Sequence, residues 1–146
     1  MARYSGGALS TAGSTTLPIF GIVGSTGVRP KVREIGLYNT TATAVALKLV
    51  RFTTAGTPGT AIVRAPQIFE EPAAVATLFN TYTSTGPTLG ADLGFRCVLG
   101  AAVGSGNIWT FPDFGIGLPA VASAGLGVVV ENGTGQACQW YICWDE

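Results

Sequence analysis

Along most of this chain, apolar side chains recur at every second position, the period of a strand half-buried in a sheet. The longest run is Thr43 to Thr53. There Val45, Leu47 and Leu49 share one face, and Ala46, Lys48, Val50 and Phe52 share the other. Both faces are largely apolar, so this strand is expected to be covered on both sides. Further strands are expected at Thr15 to Val23, Lys31 to Tyr38, Thr60 to Arg64, Ala73 to Tyr82, Gly94 to Leu99 and Asn107 to Phe111. Two more close the chain, Leu126 to Glu131 and Ala137 to Trp144. A short helix after Pro72 is the alternative for Ala73 to Leu78. Clusters rich in Gly, Pro, Ser, Thr and Asn break the pattern at 24–27, 39–42, 54–59, 84–90 and 100–106.

The final two runs read as a hairpin. Leu126, Val128 and Val130 alternate with Gly127, Val129 and Glu131, and Asn132-Gly133-Thr134-Gly135 then turns the chain. Asn-Gly takes the positive φ values of a tight reversal readily. On the return, Cys138, Trp140, Ile142 and Trp144 are expected to face the core. Gln139, Tyr141 and Cys143 are expected to be half exposed or at a contact. About eight to nine short strands with regular turn punctuation predict an all-β fold, an antiparallel β-sandwich of jelly-roll type. The domain reading is one sandwich over 17–146, preceded by an N-terminal arm at 1–16. That arm, rich in Gly, Ser and Thr, is expected to be held by its own sandwich or by a neighbouring chain.

Charge changes this picture. Lys and Arg number 8, Asp and Glu number 8, and together they are 11% of 146 residues. Ordinary globular domains carry about 25%. Mean hydropathy is +0.42. A folded chain of this mass exposes roughly 7,000 Å², or one charge per ~440 Å². That is a weak defence against association. Net charge is +0, and only Arg29, Lys31 and Arg33 cluster, beside Pro30, as a solvated strand edge. Direct binding to nucleic acid or to an anionic membrane has no support in this distribution. No window has the length and apolarity of a bilayer-spanning helix, and Met1 to Ser14 lacks the apolar core of a signal peptide.

The residue types needed for common catalysis are missing. There is no histidine, hence no Ser-His-Asp or Cys-His pair and no imidazole metal ligand. Neither a nucleophile elbow nor a phosphate-binding glycine loop occurs. Glu70-Glu71 reads as a polar loop, Glu34 as the partner of a basic neighbour, and Asp92 as the partner of Arg96. Cys97, Cys138 and Cys143 read as buried free thiols, with Cys138 and Cys143 on opposite strand faces. Asn39-Thr40-Thr41 and Asn132-Gly133-Thr134 match the glycosylation sequon but read as turns. Trp109, Trp140 and Trp144 with Tyr141 offer a sugar-stacking platform, against the plainer reading that alternate aromatics fill the core. No catalytic residue, cofactor or metal is expected, and the chain reads as a non-enzyme.

Several segments carry a resemblance. Arg33-Glu34-Ile35-Gly36-Leu37-Tyr38-Asn39-Thr40-Thr41 leads into Thr43 to Arg51, then Thr53-Thr54-Ala55-Gly56-Thr57-Pro58-Gly59. Further on stand Leu89-Gly90-Ala91-Asp92-Leu93-Gly94 and Val130-Glu131-Asn132-Gly133-Thr134-Gly135-Gln136. Together these resemble small virion structural proteins of tailed bacteriophages. The resemblance implies a capsid decoration or cement protein. Such a protein is made in the host cytoplasm, sits as a homotrimer on the outer surface of the capsid and clamps neighbouring major capsid subunits. The expected contact residues are Arg3, Tyr4 and Leu9 of the arm, Ala46, Lys48, Val50 and Phe52, and Tyr141. The alternatives are a carbohydrate- or receptor-binding module on a tail or fibre, and a tail or connector subunit.

Overall fold

The computed structural model describes residues 1–82 and 84–146, and it is built from two six-stranded antiparallel sheets. At the centre of sheet A, β3 (Lys31–Asn39) pairs with β12 (Cys138–Asp145). On the far side of β12 lie β1 (Arg3–Leu9) and the short β6 (Ala65–Pro66). The other flank of β3 is taken by β9 (Gly106–Thr110) and β10 (Ile116–Gly117). Sheet B runs in the order β5 (Pro58–Ala61), β7 (Thr77–Tyr82), β2 (Phe20–Val23), β11 (Gly125–Asn132), β4 (Val45–Thr54) and β8 (Thr88–Leu99). The pairings establish an antiparallel sandwich; they do not by themselves make it a jelly roll. Among the described residues twelve strands replace the expected eight or nine, because β1, β6 and β10 escape the alternation pattern. Ala73 to Leu78 is extended, ending in β7, so the helical alternative is set aside.

The core lies where the inner faces meet. Leu47, Leu49, Leu126 and Val128 of sheet B face Ile35, Leu37, Trp140 and Ile142 of sheet A, and all are buried. Phe20 stacks on Trp140 with centroids 4.3 Å apart and planes at 16°. The indole N–H of Trp140 donates to Asn80 Oδ1 at 3.0 Å, which satisfies its polar edge inside the sandwich. Tyr4 stacks on Trp144 at 5.8 Å and donates its hydroxyl to the Pro72 carbonyl. The three tryptophans are therefore core, and the Trp-based sugar platform is excluded.

Two local readings need correction. The strands flanking Asn132-Gly133 do not form a hairpin. β11 pairs with β2 and β4 in sheet B, whereas β12 pairs with β1 and β3 in sheet A. The turn, with Gly133 at φ 74°, carries the chain across the sandwich. Each strand thus buries its own apolar set against the other. The breaker at 84–90 is also shorter than expected. Thr88 to Gly90 belong to β8, whose register shifts at three places against β4. Such bulges absorb Gly90 and Gly94 without ending the strand. The sequon asparagine, Asn39, is the last residue of β3, and the expected reversal follows it as a bend at 41–43. Its amide donates to Thr43 and Gly100 carbonyls, and its Oδ1 accepts from Thr41.

The arm at 1–16 is held by its own sandwich. β1 is hydrogen-bonded between β12 and β6, and Tyr4 is 2% exposed. The boundary at 16/17 consequently does not separate two folding units. Ala2 and Glu146 exchange backbone hydrogen bonds at 2.8 and 3.0 Å. Asp145 accepts from Arg3 at 2.8 Å and from Arg33 at 2.5 Å. Burial opposes ionisation of Asp145, but the two guanidiniums outweigh it and hold the carboxyl below its ordinary range. A depressed carboxyl contributes stability that is present above its unfolded pKa and lost as pH falls through the folded value.

Asp145→Asn should lower stability at pH 7 by about 2 kcal/mol, as for other charge-assisted hydrogen bonds. It should also flatten the loss of stability below pH ~4; urea melts at pH 7 and pH 3 read both effects. Deleting residues 2–9 should abolish cooperative unfolding rather than merely remove an appendage, as thermal melts by circular dichroism would show.

Candidate functional site

The outward face of sheet A gathers the half-exposed aromatic and ionisable groups. Period-two alternation in β12 sends Trp140, Ile142 and Trp144 inward, so Gln139, Tyr141 and Cys143 point out. Antiparallel register then sets their neighbours in rows. Tyr38 lies between Gly106 and Gln139, with Leu9 beyond. Tyr141 lies between Gly36 and Gly7. Cys143 lies between Glu34 and Ser5.

Glycine decides how the tyrosines lie. A side chain at Gly36 would overlap the Tyr141 ring, and one at Gly106 would overlap the Tyr38 ring. Each aromatic therefore rests on the bare backbone of the neighbouring strand, a cross-strand pairing in which a ring covers a glycine. The two rings are 6.4 Å apart between centroids and 24° from parallel. The Tyr141 hydroxyl donates to Glu34 Oε1 at 2.6 Å. Burial, and then this bond, raise the Tyr141 phenol above its ordinary pKa. Glu34 thus pairs with a phenol and not with the expected basic neighbour. Gly36 is buried under the ring while Gly7 on the opposite side stays exposed. The result is a concavity of ≈ 420 Å³ bounded by Gly7, Ala8, Tyr38, Gln139, Trp140 and Tyr141. A second one of ≈ 430 Å³, with no lining residue in common with the first, reaches from Glu34 and Cys143 to Arg3, Arg33 and Asp113.

Sheet B uses the same device with the opposite result. Gly21 faces the Tyr82 ring and Gly125 faces the Phe52 ring. Phe52 and Tyr82 meet edge-on at 6.5 Å and are 2% and 1% exposed. That face is filled rather than open. Among the described residues the Tyr82 hydroxyl has no hydrogen-bond partner, and burial raises its pKa.

The eight expected contact residues are therefore dispersed. Arg3, Leu9 and Tyr141 share the outward face of sheet A. Ala46 and Lys48 lie on the outward face of sheet B, where Lys48 joins the expected Arg96–Asp92 pair and Glu131 in one charge network. Val50 and Phe52 are buried in the chain's own fold and present no surface, because Tyr82 and the glycine-lined strands leave room for them. Tyr4 is likewise core. Sequence reasoning missed Tyr38. Its signal is a tyrosine set opposite a glycine, which is visible only once register is known. All three cysteines are free, but only Cys138 is buried; Cys97 and Cys143 are half-buried.

Among the described residues no group of three or more Cys, Asp or Glu side chains is placed to hold a metal ion, and no helix is long and apolar enough to cross a membrane. Comparison with protein-family models, with curated proteins and with solved structures gave no match.

The thiols report on this geometry. Burial pushes both Cys97 and Cys138 up to about 11. It also raises Cys143, with help from the Glu34 charge, while Arg3 and Gln67 oppose the rise. At pH 8 a thiol of pKa 11 is only ~0.1% thiolate. Iodoacetamide at pH 8 should label Cys143 first, with Cys138 protected until global unfolding. Peptide mapping reads the order, and early labelling of Cys138 would contradict the inward face of β12.

Proposed function

We propose that this chain is a non-enzymatic structural subunit of a tailed-bacteriophage virion. In this reading it is a capsid decoration or cement protein that bridges major capsid subunits on the outer surface of the head. The observation that carries the reading is apolar side chains left standing in water. Phe69 is 97% exposed, Val63 85% and Phe114 83%, on a surface of 6655 Å² with few charges. Single exposed apolar residues are ordinary; grouped ones mark interaction surfaces.

These residues fall at the two lateral edges of the sandwich. Val63, Ile68 and Phe69 lie beside β5 and β6. Val98 and Ile108 lie on β8 and β9 at the opposite edge, with Val103 in the turn between them. Phe95, also exposed, meets Phe111 edge-on at 4.9 Å on that edge. An unpaired strand edge carrying apolar side chains is a template for another chain. Two different sticky edges on opposite sides favour head-to-tail contacts that close into a ring, which is the argument for a homotrimer. Attachment to a shell is then mass action. A subunit that binds only the assembled lattice stabilises it by about 2.7 kcal/mol per site at a hundredfold excess over Kd.

Native mass spectrometry should find a trimer that Val98→Asp or Phe69→Ser shifts toward monomer without lowering the melting temperature. Electron cryo-microscopy of the particle should place the chain outside the head. Density on the tail or connector would replace the decoration reading with a tail or connector subunit. A monomer at millimolar concentration with no place on a virion would overturn the reading altogether.

A further inference from the structure

We propose that the Tyr38–Tyr141 shelf on sheet A is a binding site for neutral sugar units of a polysaccharide. This goes beyond the assembly reading and does not rest on it.

Three observations carry the proposal. The first is a pre-organised aromatic surface. Both rings lie against glycine backbone, close to parallel, and Tyr141 is further fixed by its bond to Glu34. A pyranose presents an apolar C–H face on one side and hydroxyls at its rim, so it complements a ring that is apolar across its face and polar at its tip. Rigid rings lose little side-chain entropy on binding.

The second is the shape of the space beside the rings. The ≈ 420 Å³ concavity lies within the usual range of ligand sites. Its floor at Gly7 is exposed backbone, and the exposed Gln139 amide makes no side-chain hydrogen bond among the described residues. An amide both donates and accepts, which matches a sugar hydroxyl. A second concavity of ≈ 430 Å³ meets β12 at Cys143, the next outward position of that strand after Tyr141. From Gln139 to Asp145 the strand advances ~20 Å, long enough for several linked units rather than one.

The third is the charge pattern, which selects against other ring-bearing ligands. Arg3 and Arg33 are engaged by Asp145, and Glu34 stands at the edge of the shelf. A nucleic acid stacking its bases here would bring phosphates toward carboxylates, without the basic groove that single-strand binders use. An anionic polysaccharide meets the same obstacle.

The test is affinity electrophoresis of the full chain through gels containing dextran, mannan, galactan or xylan, beside a gel containing alginate as the anionic control. Retardation is expected in at least one neutral gel and not in alginate. Tyr38→Ala should weaken the retardation at least tenfold. Gln139→Arg, which places bulk and charge in the concavity from an exposed position, should do the same with an unchanged melting temperature. No retardation in any neutral gel would overturn the proposal, as would retardation that both variants preserve or retardation by alginate alone. If the two variants change the oligomeric mass while no neutral gel retards the protein, the shelf is a contact between copies of this chain, and the sugar proposal falls. A sugar-binding result leaves the position on the virion to be decided by microscopy, so either reading can fail alone.

Discussion

The stack of Trp140 on Phe20 fixes more than the distance between the sheets. With Trp140 and Trp144 buried, β12 has one register, because a slip by one residue would send both indoles to solvent and bring Gln139 and Tyr141 inside. Losing either indole to alanine would cost about 3–5 kcal/mol. The outward positions of Tyr141 and Cys143 are therefore consequences of what is buried beneath them. So is the Asp145 clamp, which lies where β12 runs out between Arg3 and Arg33.

Glycine then distributes the surface. On each sheet an aromatic ring occupies the space that a neighbouring side chain would have taken. Sheet B carries this to completion, so that Phe52 and Tyr82 close the face and Val50 is buried with them. On sheet A, only the Gly36 side of Tyr141 is covered and the Gly7 side remains open. Tyr141 has glycine on both sides and leans on only one, whereas Phe52 has Gly125 on one side and Leu89 on the other.

The sandwich was legible from sequence where strands carry large apolar residues at alternate positions, as at Val45, Leu47 and Leu49 or at Trp140, Ile142 and Trp144. β1 was not, since Gly6, Gly7 and Ala8 give almost no alternation; it is a strand because β12 and β6 satisfy its backbone on both sides. The Asn132-Gly133 signal correctly marked a reversal. Local turn chemistry cannot distinguish a return within one sheet from a crossing to the other, so the partner strands were misassigned. The Phe52 ring packs against Tyr82, about thirty residues away in sequence, a contact that no local pattern reveals. The same limit hid the pairing of Tyr38 with Gly106.

The partnership of β1 with β12 also shapes how the chain comes to be folded. Arg3 and Asp145 are separated by 142 positions, so β1 must wait for a partner strand that is made long after it. Until then the middle of sheet A is missing, and the flanks of β3 and β6 stand open to any passing strand. Folding that depends on such distant partners is slow and exposed to misassembly. The rate at which β12 is supplied, and crowding by other unfinished chains, would then weigh on the yield of folded protein as much as the strength of the finished fold.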